Sequence, residues 1–101
     1  MYHAYILQCS DGSYYVGSTD DLEAHVTAHQ RGRISGYTAA RRPVRLIWSE
    51  SFETRDDAVA RERQLKGWSR AKKEALMAGD IERLKALSRS HGRRSPTIGT
   101  G

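Results

Sequence analysis

Tyr2-His3-Ala4-Tyr5-Ile6-Leu7-Gln8-Cys9-Ser10-Asp11-Gly12-Ser13-Tyr14-Tyr15-Val16-Gly17 decides how this chain begins to fold. Two runs of aromatic and aliphatic residues, suited to a pleated, half-buried surface, flank the turn-forming dipeptide Asp11-Gly12, so the stretch reads as a β-hairpin. A two-residue loop would pair Ser10 with Ser13 and send Tyr5 and Tyr15 to opposite faces. A three-residue, bulged loop pairs Cys9 with Ser13 and sets Gly17 opposite Tyr5. It also sorts Ala4, Ile6, Tyr14 and Val16 onto one largely apolar face, with Tyr5, Tyr15 and Gly17 on the other. That apolar sorting favours the bulge. Gly17 then leaves a gap beside two tyrosines that admits a phosphate, the plain alternative being strand tyrosines that pack their rings together.

Working outward, Asp20 and Glu23 have the spacing of an N-terminal cap with a reciprocal partner, which predicts a helix to about Gln30 with Leu22, Val26 and His29 inward. Arg31 to Pro43 is polar and Gly-containing and carries Arg33, Arg41 and Arg42, so it reads as a basic loop able to touch phosphates before a strand from Val44 to Phe52. Thr54 caps a helix from about Arg55 to Lys66, Ser69 a third, and Asp80 a fourth ending near Ser88. From Ser90 onward no periodic apolar face offsets the entropy of ordering. Residues 1–89 are therefore expected to form one domain, and 90–101 a mobile basic tail.

At 101 residues the chain is expected to hold a single core, and its 38% hydrophobic and 29% charged residues suit a soluble globular fold. Seventeen Lys and Arg against twelve Asp and Glu leave a net charge of +5, which favours a polyanionic partner. With Cys9 alone, neither an intrachain disulfide nor a zinc site of several thiolates can form. No signal-peptide pattern or membrane-length apolar run is present, so a cytoplasmic setting is expected.

Three groups of residues could carry chemistry. His25 and His29 lie four apart on one helix face, suited to handling protons or to half-burial on an amphipathic helix. Glu62 falls on the inward stripe Ala58, Glu62, Leu65, where a carboxylate needs either a cationic partner or a metal ion. Lys66, Arg70, Lys72, Lys73 and Arg83 surround Trp68, a mixture found both in backbone-binding surfaces and on solvated helices.

In order along the chain these residues resemble the GIY-YIG nuclease superfamily. His3-Ala4-Tyr5 stands where that family has Gly-Ile-Tyr, and Tyr15-Val16-Gly17 stands for Tyr-Ile-Gly. His29 matches a recurrent histidine and Glu62 the metal-binding glutamate, while Gln64-Leu65-Lys66-Gly67-Trp68-Ser69-Arg70 is similar to the small stand-alone members. The resemblance spans about residues 2 to 88. It implies an α+β fold, a small three-stranded antiparallel sheet flanked by helices, and a divalent-metal-dependent endonuclease using one Mg²⁺ or Mn²⁺ held by Glu62. Tyr5 or Tyr15 would position and deprotonate water, with His29 assisting, while Gly17, Arg41, Arg42 and Lys66 would contact nucleic acid, DNA ahead of RNA. His25 stands where the family has its catalytic arginine. Histidine titrates near pH 6.5 and lacks the permanent charged fork of Arg, so a catalytically poor nucleic-acid-binding module of the same fold is the alternative.

Overall fold

The computed structural model describes residues 1–94, with side chains through residue 88. Two compact units are present, Met1–Gly67 and a second that begins at Trp68.

The first unit is built on the hairpin. Strands β1 (Tyr2–Gln8) and β2 (Tyr14–Thr19) are antiparallel, with Tyr5 opposite Gly17 and Ile6 opposite Val16. The Cys9 amide donates to the Ser13 carbonyl at 2.8 Å, so the longer, bulged loop is the one that forms. Its tip is organised by Asp11, whose carboxylate accepts from both the Ser13 amide (3.0 Å) and the Ser13 hydroxyl (2.6 Å). Strand β3 (Arg45–Phe52) pairs antiparallel with the other side of β1, giving the order β2-β1-β3. The register shifts between Ile6 and Leu7, so that Trp48 faces Ile6 and Leu46 faces Leu7.

Because β1 is central, both of its faces are covered, and Ala4, Tyr5, Ile6 and Leu7 are all buried. Helix α1 (Leu22–Gln30) supplies Val26 to a core with Tyr5, Leu7, Cys9 and Val44, and Leu22 and Tyr15 pack at its margin. Helix α2 (Arg55–Lys66) lies on the opposite face, that of Ala4, Ile6 and Val16, and buries Ala58 and Leu65. The two helices thus grip β2, an edge strand, from different sides.

Caps follow the expected logic with one correction. Thr54 accepts from the Asp57 amide and Ser69 from the Lys72 amide, as their spacing predicts. Helix α1 is capped by Asp21, not Asp20: the Asp21 carboxylate accepts from the Ala24 amide at 3.2 Å, and the Asp21 amide donates to the Thr19 hydroxyl. Asp21 stands three residues before Ala24, the reach an N-cap side chain needs, which leaves Asp20 free to face a cleft.

In the second unit α3 (Arg70–Ala78) ends at Gly79 in the left-handed conformation, φ 70°, and packs against α4 (Ile81–Arg94). Asp80 caps α4 by accepting from the Arg83 amide. Helix α4 runs past Ser88, where its last apolar residue had placed its end, to Arg94. The remainder of the expected tail, 95–101, lies outside the described residues. Among the described residues no helix is long and apolar enough to cross a membrane.

Candidate functional site

On the α1 side of the sheet, the hairpin register and the helical spacing of two histidines bring four rings together. The β1–β2 pairing puts Tyr5 and Tyr15 on the same face, and α1 lays His25 and His29 across them. His25 and His29 have centroids 5.0 Å apart, Tyr5 and His25 5.9 Å, and Tyr15 and His29 5.2 Å. The Tyr5 hydroxyl lies 3.2 Å from His29 Nε2, and His29 Nδ1 lies 2.7 Å from the Thr38 hydroxyl. Tyr5, His29 and Thr38 are each about 1% exposed, so this chain of polar atoms is sealed from solvent. Burial pushes the Tyr5 phenol well above its ordinary value, and the negative charges that Tyr15 and Glu62 can carry push the same way. Burial, and then His25, holds His29 below the usual imidazole value.

Gly17 receives Tyr5. A side-chain carbon at position 17 would collide with the Tyr5 hydroxyl and the ring carbon bearing it. The gap assigned above to a phosphate is therefore filled by the ring itself, which crosses the edge strand because its neighbour there has no side chain.

On the α2 side, Glu62 meets the same edge strand one residue further on. Ser18 donates from its hydroxyl to Glu62 Oε1 at 2.6 Å, and Lys66 Nζ lies 2.7 Å from Oε2. Burial raises the Glu62 carboxyl, but the Lys66 and Ser18 hydrogen bonds and the charges of Lys66 and Arg63 outweigh it and leave the group below the usual carboxylate range. Glu62 is therefore ionised at neutral pH, with its side chain 19% exposed. Beside it opens a cleft of about 270 Å³, lined by Ser18, Thr19, Asp20, His25 and Arg55 among others. Arg55, on the first turn of α2, is exposed and has no ion-pair partner among the described residues.

The other cations expected at phosphate-contacting positions already have protein partners. Arg41 pairs with Asp11 at 3.2 Å, donates to the Tyr37 carbonyl, and lays its guanidinium 3.8 Å from the Tyr37 ring centroid. Arg42 donates to the Ala39 carbonyl and covers Gly32. Both tie the 31–43 loop together. Lys66 belongs to Glu62. In the second unit, Lys72 sits 4.4 Å over the Trp68 ring and Arg70 pairs with Glu74.

Sequence reasoning passed over Ser18, Thr38 and Arg55. Ser18 follows directly from the register that places Val16 on the α2 face, since residues two apart on a strand share a face. Thr38 and Arg55 carried no such signal, because a threonine in a polar loop and an arginine in a first helical turn are ordinary.

Among the described residues no three His, Cys, Asp or Glu side chains converge into a metal cage. One ionised carboxylate on the border of an open cleft nonetheless fits Mg²⁺ or Mn²⁺. Such hard cations take oxygen ligands, and magnesium commonly uses one or two carboxylates, with waters and substrate phosphates completing the shell.

A family model for the GIY-YIG catalytic domain matches residues 1–75. The chain belongs to the GIY-YIG family. It is 46% identical over 76 residues to a UPF0213 protein of Halobacterium salinarum, a match covering 75% of this chain and 99% of the relative. A UPF0213 protein of Staphylococcus aureus is 45% identical over 73 residues, covering 72% and 89%. Among solved structures, the solution structure of a UPF0213 protein from Bacillus halodurans superposes with a TM-score of 0.52 at 37% identity, covering 87% of this chain and 98% of that one. A protein from E. faecalis gives 0.55 at 39% identity, covering 79% and 85%. The GIY-YIG family is a nuclease family, and the three-stranded sheet with its flanking helices is the fold of these relatives.

Proposed function

We propose that the chain is a divalent-metal-dependent endonuclease that hydrolyses nucleic-acid phosphodiester bonds, DNA in preference to RNA. The observation that carries this reading is the ionised Glu62 carboxylate, held by Ser18 on the border of a cleft that also contains Arg55 and His25. A carboxylate next to unpaired or titratable cations suits a ligand that brings both a metal ion and a phosphate.

Glu62 would hold one Mg²⁺ or Mn²⁺, which when bound supplies Lewis-acid stabilisation of the charge that develops on the phosphate and leaving oxygens. Arg55 would supply the permanent positive charge that the family places at position 25, with His25 adding charge only when protonated. The two tyrosines then divide their work. Tyr5, kept protonated by burial, orients the attacking water or a phosphate oxygen through its hydroxyl. Tyr15, at the margin of the buried cluster, is the tyrosine left to take part in removing the water's proton, with His29 fixing the rings around it. Lys66, displaced from Glu62 by the metal ion, becomes available to the backbone.

The replacement of the family arginine by His25 favours a second reading, a nucleic-acid-binding module with little turnover. One experiment separates the two. Single-stranded, duplex and branched DNA, and RNA, are incubated with the protein in Mg²⁺ or Mn²⁺ and again with chelator. The nuclease reading expects metal-dependent cleavage that Glu62→Ala lowers by more than about 100-fold, beyond the 10- to 100-fold typical of losing a residue that merely supports a metal ligand. Salt-sensitive binding without cleavage overturns it in favour of the module.

A further inference from the structure

Thr38 has no part in the reaction just described, yet it is buried and its hydroxyl meets a histidine nitrogen at 2.7 Å. Its environment defines a direction. Among the described residues the Thr38 hydroxyl has His29 Nδ1 as its one side-chain partner, and the Tyr5 hydroxyl has His29 Nε2. The three groups therefore form a line with a single hydroxyl proton at either end. A neutral imidazole carries one N–H, so the line can run only one way at a time.

If Tyr5 donated to Nε2, His29 would donate from Nδ1 to Thr38, and the Thr38 proton would be stranded in a sealed position. If Thr38 donates to Nδ1, His29 donates from Nε2 to the Tyr5 oxygen. The unused proton then falls on Tyr5, whose ring crosses Gly17 to the edge strand and whose hydroxyl lies in the field of the Glu62 carboxylate. A buried donor without an acceptor is costly, whereas a proton drawn toward a nearby negative charge is favoured. We infer that Thr38 is a positioning residue that holds His29 in its Nε2–H form, making the Tyr5 oxygen an acceptor and turning the Tyr5 proton out toward the site. In that arrangement Tyr5 offers a hydrogen bond to whatever occupies the site and cannot pass its proton to His29. The burial of His29 acts in the same sense by keeping the ring neutral, so that a single tautomer has meaning. The charged and titratable groups facing His29 are His25 on its own helix and Tyr5 and Tyr15 from the sheet.

The test is spectroscopic and needs neither metal nor nucleic acid, so it stands or falls apart from the nuclease reading. The full chain is prepared with ¹⁵N-labelled histidine, and long-range proton–nitrogen correlations of the His29 ring are recorded at pH 7.5, with assignment by loss of the signal in His29→Gln. The wild-type protein is expected to show a protonated Nε2 and an unprotonated Nδ1. Thr38→Val, which keeps the shape and removes the hydroxyl, is expected to lose that preference, and Thr38→Ser to retain it. A wild-type His29 protonated on Nδ1 overturns the inference. So does a folded Thr38→Val protein whose tautomer is unchanged. Should Thr38→Val fail to fold, the wild-type and Thr38→Ser spectra still decide.

Discussion

Tyr5 and Glu62 reach the same edge strand from opposite faces of the sheet, and their surroundings differ in kind. Tyr5 lies under α1 in a sealed stack whose partners, His29 and Thr38, are themselves buried. Glu62 lies under α2 beside open space, and its partners are a serine and a half-exposed lysine that a stronger ligand can displace. The tyrosine side is held by packing, which is cooperative and fixed in geometry. The glutamate side is held by charge, which can be exchanged. A site that must position a reacting group and yet admit a metal ion and a phosphate needs one half of each sort.

That contrast breaks most severely at Gly17, where the two halves adjoin. Gly17→Ala places a methyl group against the Tyr5 ring, and overpacking of this kind costs about 1–3 kcal/mol. For a domain of this size each kcal/mol is a fall of roughly 4–8 °C in melting temperature, readable by thermal denaturation. A Gly17→Ala protein as stable as wild type means that the ring moves freely, and the packed half is not rigid.

Acid separates the halves next. His29 has a folded-state pKa below its unfolded value near 6.5, so the unfolded chain binds the proton more readily. Its contribution to stability is complete above that value and is lost as the pH falls from there through the lower folded value, at no more than about 1.4 kcal/mol per pH unit. Glu62 is also depressed, from 4.5, so its contribution is lost only at lower pH, as the carboxylate protonates. Chemical denaturation between pH 8 and 4 should show both windows, and His29→Gln should flatten the upper one while leaving the lower. A profile unaffected by His29→Gln assigns the upper window elsewhere.

The smallest effect belongs to Arg55. Arg55→Gln should weaken oligonucleotide binding in chelator and reduce the slope of log affinity against log salt by about 0.9 for duplex DNA, the share of one phosphate contact. His25→Arg in that background should restore the slope, since both side chains line the same cleft. If the slope is unchanged by Arg55→Gln, the cation of the open half lies elsewhere.

Local signals carried much of the architecture. The bulged hairpin, the caps at Thr54, Ser69 and Asp80 and the inward face of α1 depend on neighbours within a few residues, and short-range chemistry states them openly. The fate of Gly17 was harder. Register placed it opposite Tyr5, but whether the space would serve a ligand or the ring depended on the rotamer of Tyr5, which the packing of α1 decides. Arg41 and Arg42 read as phosphate contacts from charge alone, yet Asp11 and the Tyr37 and Ala39 carbonyls engage them.

By itself the sequence determined the strand register, the sharing of a face by Tyr5 and Tyr15, the spacing of His25 and His29, and an inward carboxylate at position 62, because each follows from the fixed periods of strand and helix. Only the tertiary structure decided that Ser18 and Lys66 would share that carboxylate, that Thr38 would reach His29, and that Arg55 would enter the cleft of His25. Those pairings join residues 4 to 44 positions apart across different elements. Their geometry is set by how the helices pack on the two faces of the sheet, and no local pattern encodes it.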